Sequence, residues 1–184
     1  PSQRASGGEA AAFGAGGGAE LMRSGDVMAK HAIQMQEQAN VSAAKDMFLE
    51  ATIESGDIEA KYRSLSGKAA ADGYAAYVQQ LKELRERYSS QATNPEVRKM
   101  FDQDFSRRTA FSIVAGARFA ATQNKKHNVD SNNSAIDVAT RDISLYPEDN
   151  TRFTYNTDLA VRSADAVSRE AGLDGNQAKL RREN

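Results

Sequence analysis

Cysteine and tryptophan are both missing from this chain. The absence of cysteine excludes disulfides and thiolate metal ligands. The only histidines, His31 and His127, stand far apart without ligand spacing. A zinc or iron site would therefore have to be mostly carboxylate, and no metal or other cofactor is expected. An excess of one charge is missing too. The 24 basic and 25 acidic residues leave a net charge of −1, which does not suggest a dedicated nucleic-acid binder. No apolar run reaches the ~18 residues that a spanning helix needs, and no signal peptide is visible.

Large apolar side chains are also in short supply. Alanine alone occurs 31 times, and Leu, Ile, Val and Phe together reach only the same 31. Alanine is the best helix former, and its small side chain lets helices approach closely. This composition predicts long helices around a thin core, completed by neighbouring subunits. The chain begins at Pro1 and ends on "KLRREN", still helical in character, so it reads as an internal piece of a longer polypeptide.

The periodicity predicts an all-α fold. Residues 1–18 are rich in Gly, Ala and Ser without a helical period and read as a flexible arm. From Ala19 to about Ile53 the period is clear: Leu21, Met28 and Met35 are seven apart, and Gly25, Ala32 and Ala39 follow each by four. This is a short heptad seam with small residues at alternate positions. Val41, Ala44 and Phe48 are read as its continuation after a phase shift. Glu54-Ser55-Gly56-Asp57 is read as a break. A second helix to about Tyr88 would then complete an antiparallel hairpin over 19–92, with Ile58, Tyr62, Leu65, Ala69, Tyr77, Leu81 and Leu84 on one face.

A smaller helical bundle is expected over 93–184. Asn94-Pro95-Glu96 supplies an N-cap, a proline at the first helical position and an acid in the first turn. That helix should end near Asn124, before the polar stretch "NKKHNVDSNNS". Another is expected over 134–145, stopped by Tyr146-Pro147. A fifth follows over about 155–171, closed by Gly172 in a left-handed cap, and Asp174-Gly175-Asn176-Gln177 fits a capping box for a sixth.

Several motifs touch on chemistry. Gly14-x-Gly16-x-x-Ala19 has the spacing of a dinucleotide turn, but that turn needs a strand before it and a βαβ unit around it. Neither is in the pattern, so the glycines read as a joint feeding a helix. Glu54-Ser55 resembles the helix-borne Glu-Ser pair of goose-lysozyme-like lytic transglycosylases, whose glutamate protonates the glycosidic oxygen. The family's continuation fails after Ser64-Leu65-Ser66-Gly67-Lys68-Ala69, with no Gly-Leu-Met-Gln to build a glycan cleft. Asp102 and Asp104 point to different helix faces and make no dyad. Glu83 and Glu86 sit among Lys82, Arg85 and Arg87 on a solvated charged face. The basic residues Arg107, Arg108, Arg118, Lys125 and Lys126 are candidates to face DNA phosphates, with helix capping and surface solubility as the alternative. Tyr62, Tyr74, Tyr77 and Tyr88 read as core at their helical spacing, with base stacking as the alternative.

Taken in order, the features resemble one family. The Gly-rich lead with Phe13, Gly18, Leu21 and Gly25 enters a long helix. Tyr62-x-x-Leu65-x-Gly67-x-Ala69-Ala70, then Tyr77 and Leu81, mark the second. Asn94-Pro95-Glu96-Val97-Arg98-x-x-Phe101 opens the third, and a Phe153-to-Ala171 helix is closed by "GLDGNQAKL". Over about 13–180 this pattern resembles the helical, non-catalytic segments of internal virion proteins of tailed bacteriophages, also called ejection proteins. The family's catalytic residues are absent, so the resemblance implies no catalytic site and no enzyme activity.

The resemblance implies a protein packaged in the virion and released through portal and tail. It would reassemble in the host cell envelope or periplasm as an oligomeric tube or collar that conducts DNA. The implied partners are other copies of the chain, portal, tail or other ejection proteins, double-stranded DNA without sequence preference, and the host envelope through regions outside this chain. Leu21, Met28, Met35 and Phe48 would form the oligomer interface. The alternatives are another elongated helical virion protein, such as a tape-measure, tail or portal-adaptor protein, a peptidoglycan lytic transglycosylase region built on Glu54, and a DNA-binding helical module.

Overall fold

The structure is a computed structural model that describes the backbone of residues 15–173 and the side chains of residues 25–173. It is all-α, with four helices packed together and no strand among the described residues. The helices are α1 (Ala15–Arg63), α2 (Gly67–Gln91), α3 (Pro95–Leu145) and α4 (Asn150–Glu170). At ~1.5 Å per residue, α1 and α3 each run for roughly 75 Å.

Two helices are longer than their sequence suggests. The break predicted at 54–57 is absent, and α1 continues to Arg63. A glycine inside a helix costs about 1 kcal/mol. Here that cost is outweighed, because Ala51, Ser55, Ile58 and Tyr62 keep the helical period across Gly56 and pack inward. Ser55 satisfies its own hydroxyl, donating to the Thr52 carbonyl at 2.8 Å. The chain turns instead at 64–66, where Gly67 adopts φ +56°. The Gly67 N–H donates to Gln123 Oε1 at 3.0 Å, tying this turn to α3.

The second correction falls at 125–133, where α3 runs on without a loop. Asn132 Nδ2 donates to the Asn128 carbonyl and Ser134 Oγ to the Asp130 carbonyl, so the polar stretch satisfies itself within the helix. Packing of α4 on α3 supplies the rest. The expected arm over 1–18 is shortened as well, since Ala15 to Gly18 are already helical. Residues 1–14 and the capping box at 174–177 lie outside the described residues.

The capping signals are found where expected. The Asn94 side chain accepts from the Val97 N–H at 3.0 Å, and α3 ends at Leu145, before Tyr146-Pro147. Gly172 has φ +73°. Its N–H reaches the Arg169 carbonyl while that of Leu173 reaches the Ser168 carbonyl, the paired bonds of a Schellman cap.

The core has two centres. One joins Ala51 of α1, Leu84 of α2 and the stacked rings of Phe101 and Phe105 on α3, with Met47, Phe48, Ile58 and Tyr88 packed against it. The other joins Tyr62 of α1 to Tyr77 and Leu81 of α2, with Phe119 of α3 against them. There the Tyr62 hydroxyl lies within hydrogen-bond distance of both the Ala70 and Gly116 carbonyls, at 3.1 and 3.2 Å. Tyr74 and Tyr77 donate to the Ile113 and Ser112 carbonyls. Three tyrosines thus tie α1 and α2 to the middle of α3. Among the described residues, α4 packs on α3 alone, across a surface in which Asn156, Ser163 and Ser168 are buried beside Ala139 and Val167.

Candidate functional site

Glu54 is the residue for which sequence suggested acid catalysis. It projects from the C-terminal third of α1 and forms an ion pair with Arg87 of α2. Tyr88 also donates to it, at 3.4 Å. Hydrogen bonding from Arg87 holds the Glu54 carboxyl below its ordinary range, outweighing the opposing effect of burial. A general acid needs the reverse: a carboxyl kept protonated by an apolar surround. The shallow groove beside it, of about 430 Å³, is lined by Ile58, Gln80, Glu83, Leu84 and Arg87, and its second acid, Glu83, accepts a hydrogen bond from Gln79 on its own helix.

Three further carboxylates, Asp102, Asp104 and Glu83, have structural partners. Asp102 accepts from Arg85 Nε at 2.9 Å and Ser89 Oγ at 3.1 Å, clamping α2 to α3. Asp104 is separate from it and faces Arg107 at 3.9 Å. Glu83 accepts from Gln79 on its own helix. Among the described residues no group of three or more His, Cys, Asp or Glu could hold a metal ion, and no helix is long and apolar enough to cross a membrane. Gly16 and Ala19 lie within the first turns of α1 rather than in a loop, so no dinucleotide turn is built there, and Gly14 lies outside the described residues.

What the structure does present is apolar surface turned outward. Met28 is 76% exposed and Met35 59%. Leu21 lies outside the residues whose side chains are described. Phe48 faces the other way and packs into the core of its own chain, as do Val41 and Ala44 on the half-buried side of α1. The phase shift read from the sequence is therefore a change of face. The seam itself runs on in strict register, through Ser42 and Leu49 on one line and Asp46 and Ile53 on the other. Leu49 and Ile53 are 58% and 70% exposed. The signal was available: 21, 28, 35, 42 and 49 are evenly seven apart.

The five basic candidates divide into two lines. At ~100° per residue, Arg107, Arg118 and Lys125 fall within about 20° of one another, while Arg108 and Lys126 lie on a separate azimuth. All five are exposed. Between Arg107 and Lys125 on the first line stand Phe111 and Val114, 79% and 52% exposed. Their four-and-three spacing with the arginines is a heptad pattern that a search for charges alone passes over. No known protein family, curated protein or solved structure matches the chain.

Proposed function

We propose that the chain is a structural, non-enzymatic virion component that assembles into an oligomeric helical tube or collar for phage genome ejection across the host envelope. The observation that carries this reading is the exposed apolar seam of α1: Met28 and Met35 stand on a stretch exposed on every side, and Leu49 and Ile53 lie opposite the face that the chain buries in itself. A helix with a buried face and a second apolar face is one that has a further helix to meet. In this reading the antiparallel pairing of α1 with α2, followed by the α3–α4 segment, makes an elongated subunit. Its copies meet side by side and contact portal, tail or other ejection proteins at their ends.

Passage through a portal demands a chain that unfolds and refolds readily. Three features support this: no disulfide, a core of few large side chains, and an α3–α4 surface that buries the polar residues Asn156, Ser163 and Ser168. Across it Asn156 donates to Asp142 at 2.6 Å and Asn128 to Glu170 at 3.1 Å. Helical proteins with mostly local contacts fold quickly.

The test is the absolute mass of the purified chain by light scattering across a concentration series. A discrete oligomer of the 19.9 kDa subunit is expected. A monomer at every concentration would remove the assembly reading. The absence of enzymatic activity is tested by turbidity of purified cell wall. No clearing is expected, and clearing that Glu54→Gln abolishes would restore the transglycosylase alternative.

A further inference from the structure

We infer that the copies assemble head to tail, the acidic outer stripe of α1 in one copy docking on the basic outer stripe of α3 in the next. This rests on the assembly reading above and names its interface. The α1 stripe consists of Asp46, Leu49, Glu50, Ile53 and Asp57, all exposed and within about 100° of one another at ~100° per residue. Lys45 and Lys61 flank it. The α3 stripe consists of Arg107, Phe111, Val114 and Arg118, extended by Lys125 and spread over about 60°.

The two stripes match in order as well as in charge. Each carries two large apolar residues bracketed by like charges, acidic on α1 and basic on α3, and each spans about 16 Å. Leu49 and Ile53 would lie against Phe111 and Val114, with carboxylates meeting guanidinium groups at both ends. Asp104 faces Arg107 at 3.9 Å at the start of the stripe, and the 25 residues after it, 105–129, contain no Asp or Glu. On α3 the stripe also continues a face already used for helix packing. The same line runs on through Asn128, Asn132 and Ala139, where α4 lies, so the uncovered half offers a groove of the same kind to another helix.

Other occupants fit less well. A DNA backbone would cover the arginines but leave Phe111 and Val114 against phosphates, whose contacts are polar. The chain's own residues 174–184 carry Lys179, Arg181 and Arg182 against Asp174 and Glu183, so they bring positive charge to a positive stripe. Self-pairing of the α1 stripe would bring Asp46, Glu50 and Asp57 against their own copies.

A heterologous contact has a distinctive consequence. Every copy that docks leaves one α1 stripe and one α3 stripe unused at the ends, so growth continues until a ring closes or a filament extends. The experiment uses two charge-reversed variants of the full chain, Asp46→Arg/Asp57→Arg and Arg107→Glu/Arg118→Glu, studied by light scattering alone and mixed one to one. All four sites are exposed, so helicity by circular dichroism is expected to be unchanged. Each variant alone is expected to be monomeric, because both of its stripes then carry the same sign. The mixture is expected to recover the wild-type mass, because each reversed stripe meets a complementary one.

Three results would overturn the inference. Both variants could assemble as wild type does. The α3 variant could assemble while the α1 variant does not, which would show α1 pairing with itself. Or the α3 variant could keep its oligomeric mass and lose salt-sensitive retardation of duplex DNA, which would assign the basic stripe to nucleic acid. In all three the oligomer survives, so assembly stands while this interface falls. A wild-type chain that never oligomerises removes both.

Discussion

Two glycine-to-alanine substitutions, both inside long helices, are expected to change stability in opposite directions. Alanine gains about 1 kcal/mol over glycine in a helix interior. At Gly56 on α1 a Cβ would meet nothing within 4 Å, so Gly56→Ala should collect that gain in full. At Gly116 on α3 the same Cβ would lie 2.7 Å from Tyr77 Cε1 and 3.2 Å from its Cδ1. Carbon atoms prefer about 3.5–4.0 Å, so the ring would have to retreat by nearly an ångström. It has little room: Tyr77 is 2% exposed, stacks on Tyr62 at 4.4 Å, and holds the Ser112 carbonyl through its hydroxyl. Overpacking of this kind costs about 1–3 kcal/mol. Gly116→Ala should therefore come out between neutral and about 2 kcal/mol destabilising once the propensity gain is subtracted. Propensity is common to both sites, so the difference between the variants isolates the steric part at about 1–3 kcal/mol. Urea unfolding followed by far-UV circular dichroism measures it, at a fixed protein concentration because association would shift the midpoints. Equal stabilisation by the two substitutions would refute the close approach of α2 and α3 at Gly116.

Phe101→Ala removes a ring that is fully buried and stacked on Phe105. It should destabilise the chain by about 3–5 kcal/mol in the same urea assay. Arg87→Ala should return the Glu54 carboxyl toward its ordinary range, which a carboxylate NMR titration would read directly. Because the folded chain lowers that pKa, the pair's contribution is present above the unfolded value of about 4.5 and is lost as pH falls through the folded one. Both side chains are two-fifths or more exposed, so the stability loss at neutral pH should be small and shrink with salt. At the alkaline end, burial raises the pKa of Tyr62, Tyr77 and Tyr88 above 10. Their contribution is intact below pH 10 and is lost as pH climbs through the folded values. Stability should therefore fall above pH 10, in step with delayed tyrosinate absorbance. Ionisation at the same pH in folded and unfolded chains would contradict this.

The features legible in the sequence are those whose chemistry is local. Asn94-Pro95-Glu96, Tyr146-Pro147 and Gly172 each fix a helix end through groups within a few residues, and each end lies where those residues put it. Predictions that depended on what a segment packs against fared differently. Gly56 and the 125–133 stretch look like breaks because their intrinsic helix preference is weak. Tertiary contacts of neighbouring turns override that preference, and no local pattern shows it. Phe48 illustrates the same limit: Met35 and Phe48 are both apolar residues of one helix. Only the three-dimensional arrangement tells which faces Leu84 and Phe101 and which faces away.

Charge shows most plainly why composition is a poor guide to surfaces. A net charge of −1 suggests a chain indifferent to charged partners, and the even count of acids and bases reinforces it. Placed on the helices, the same residues segregate: three acids within twelve residues on the outside of α1, and five bases with no acid across 105–129 of α3. Near-neutrality of the whole chain therefore coexists with two faces of opposite sign. Randomly mixed charges would screen one another within a Debye length of about 8 Å. Stripes some 16 Å long, with apolar residues at their centres, retain a direction. That direction can orient one copy against the next, fixing their register before the apolar side chains meet. It also accounts for α1 and α3 carrying large apolar side chains on two faces. In each, one face holds the chain's own core, and the outer one is free to hold the next subunit.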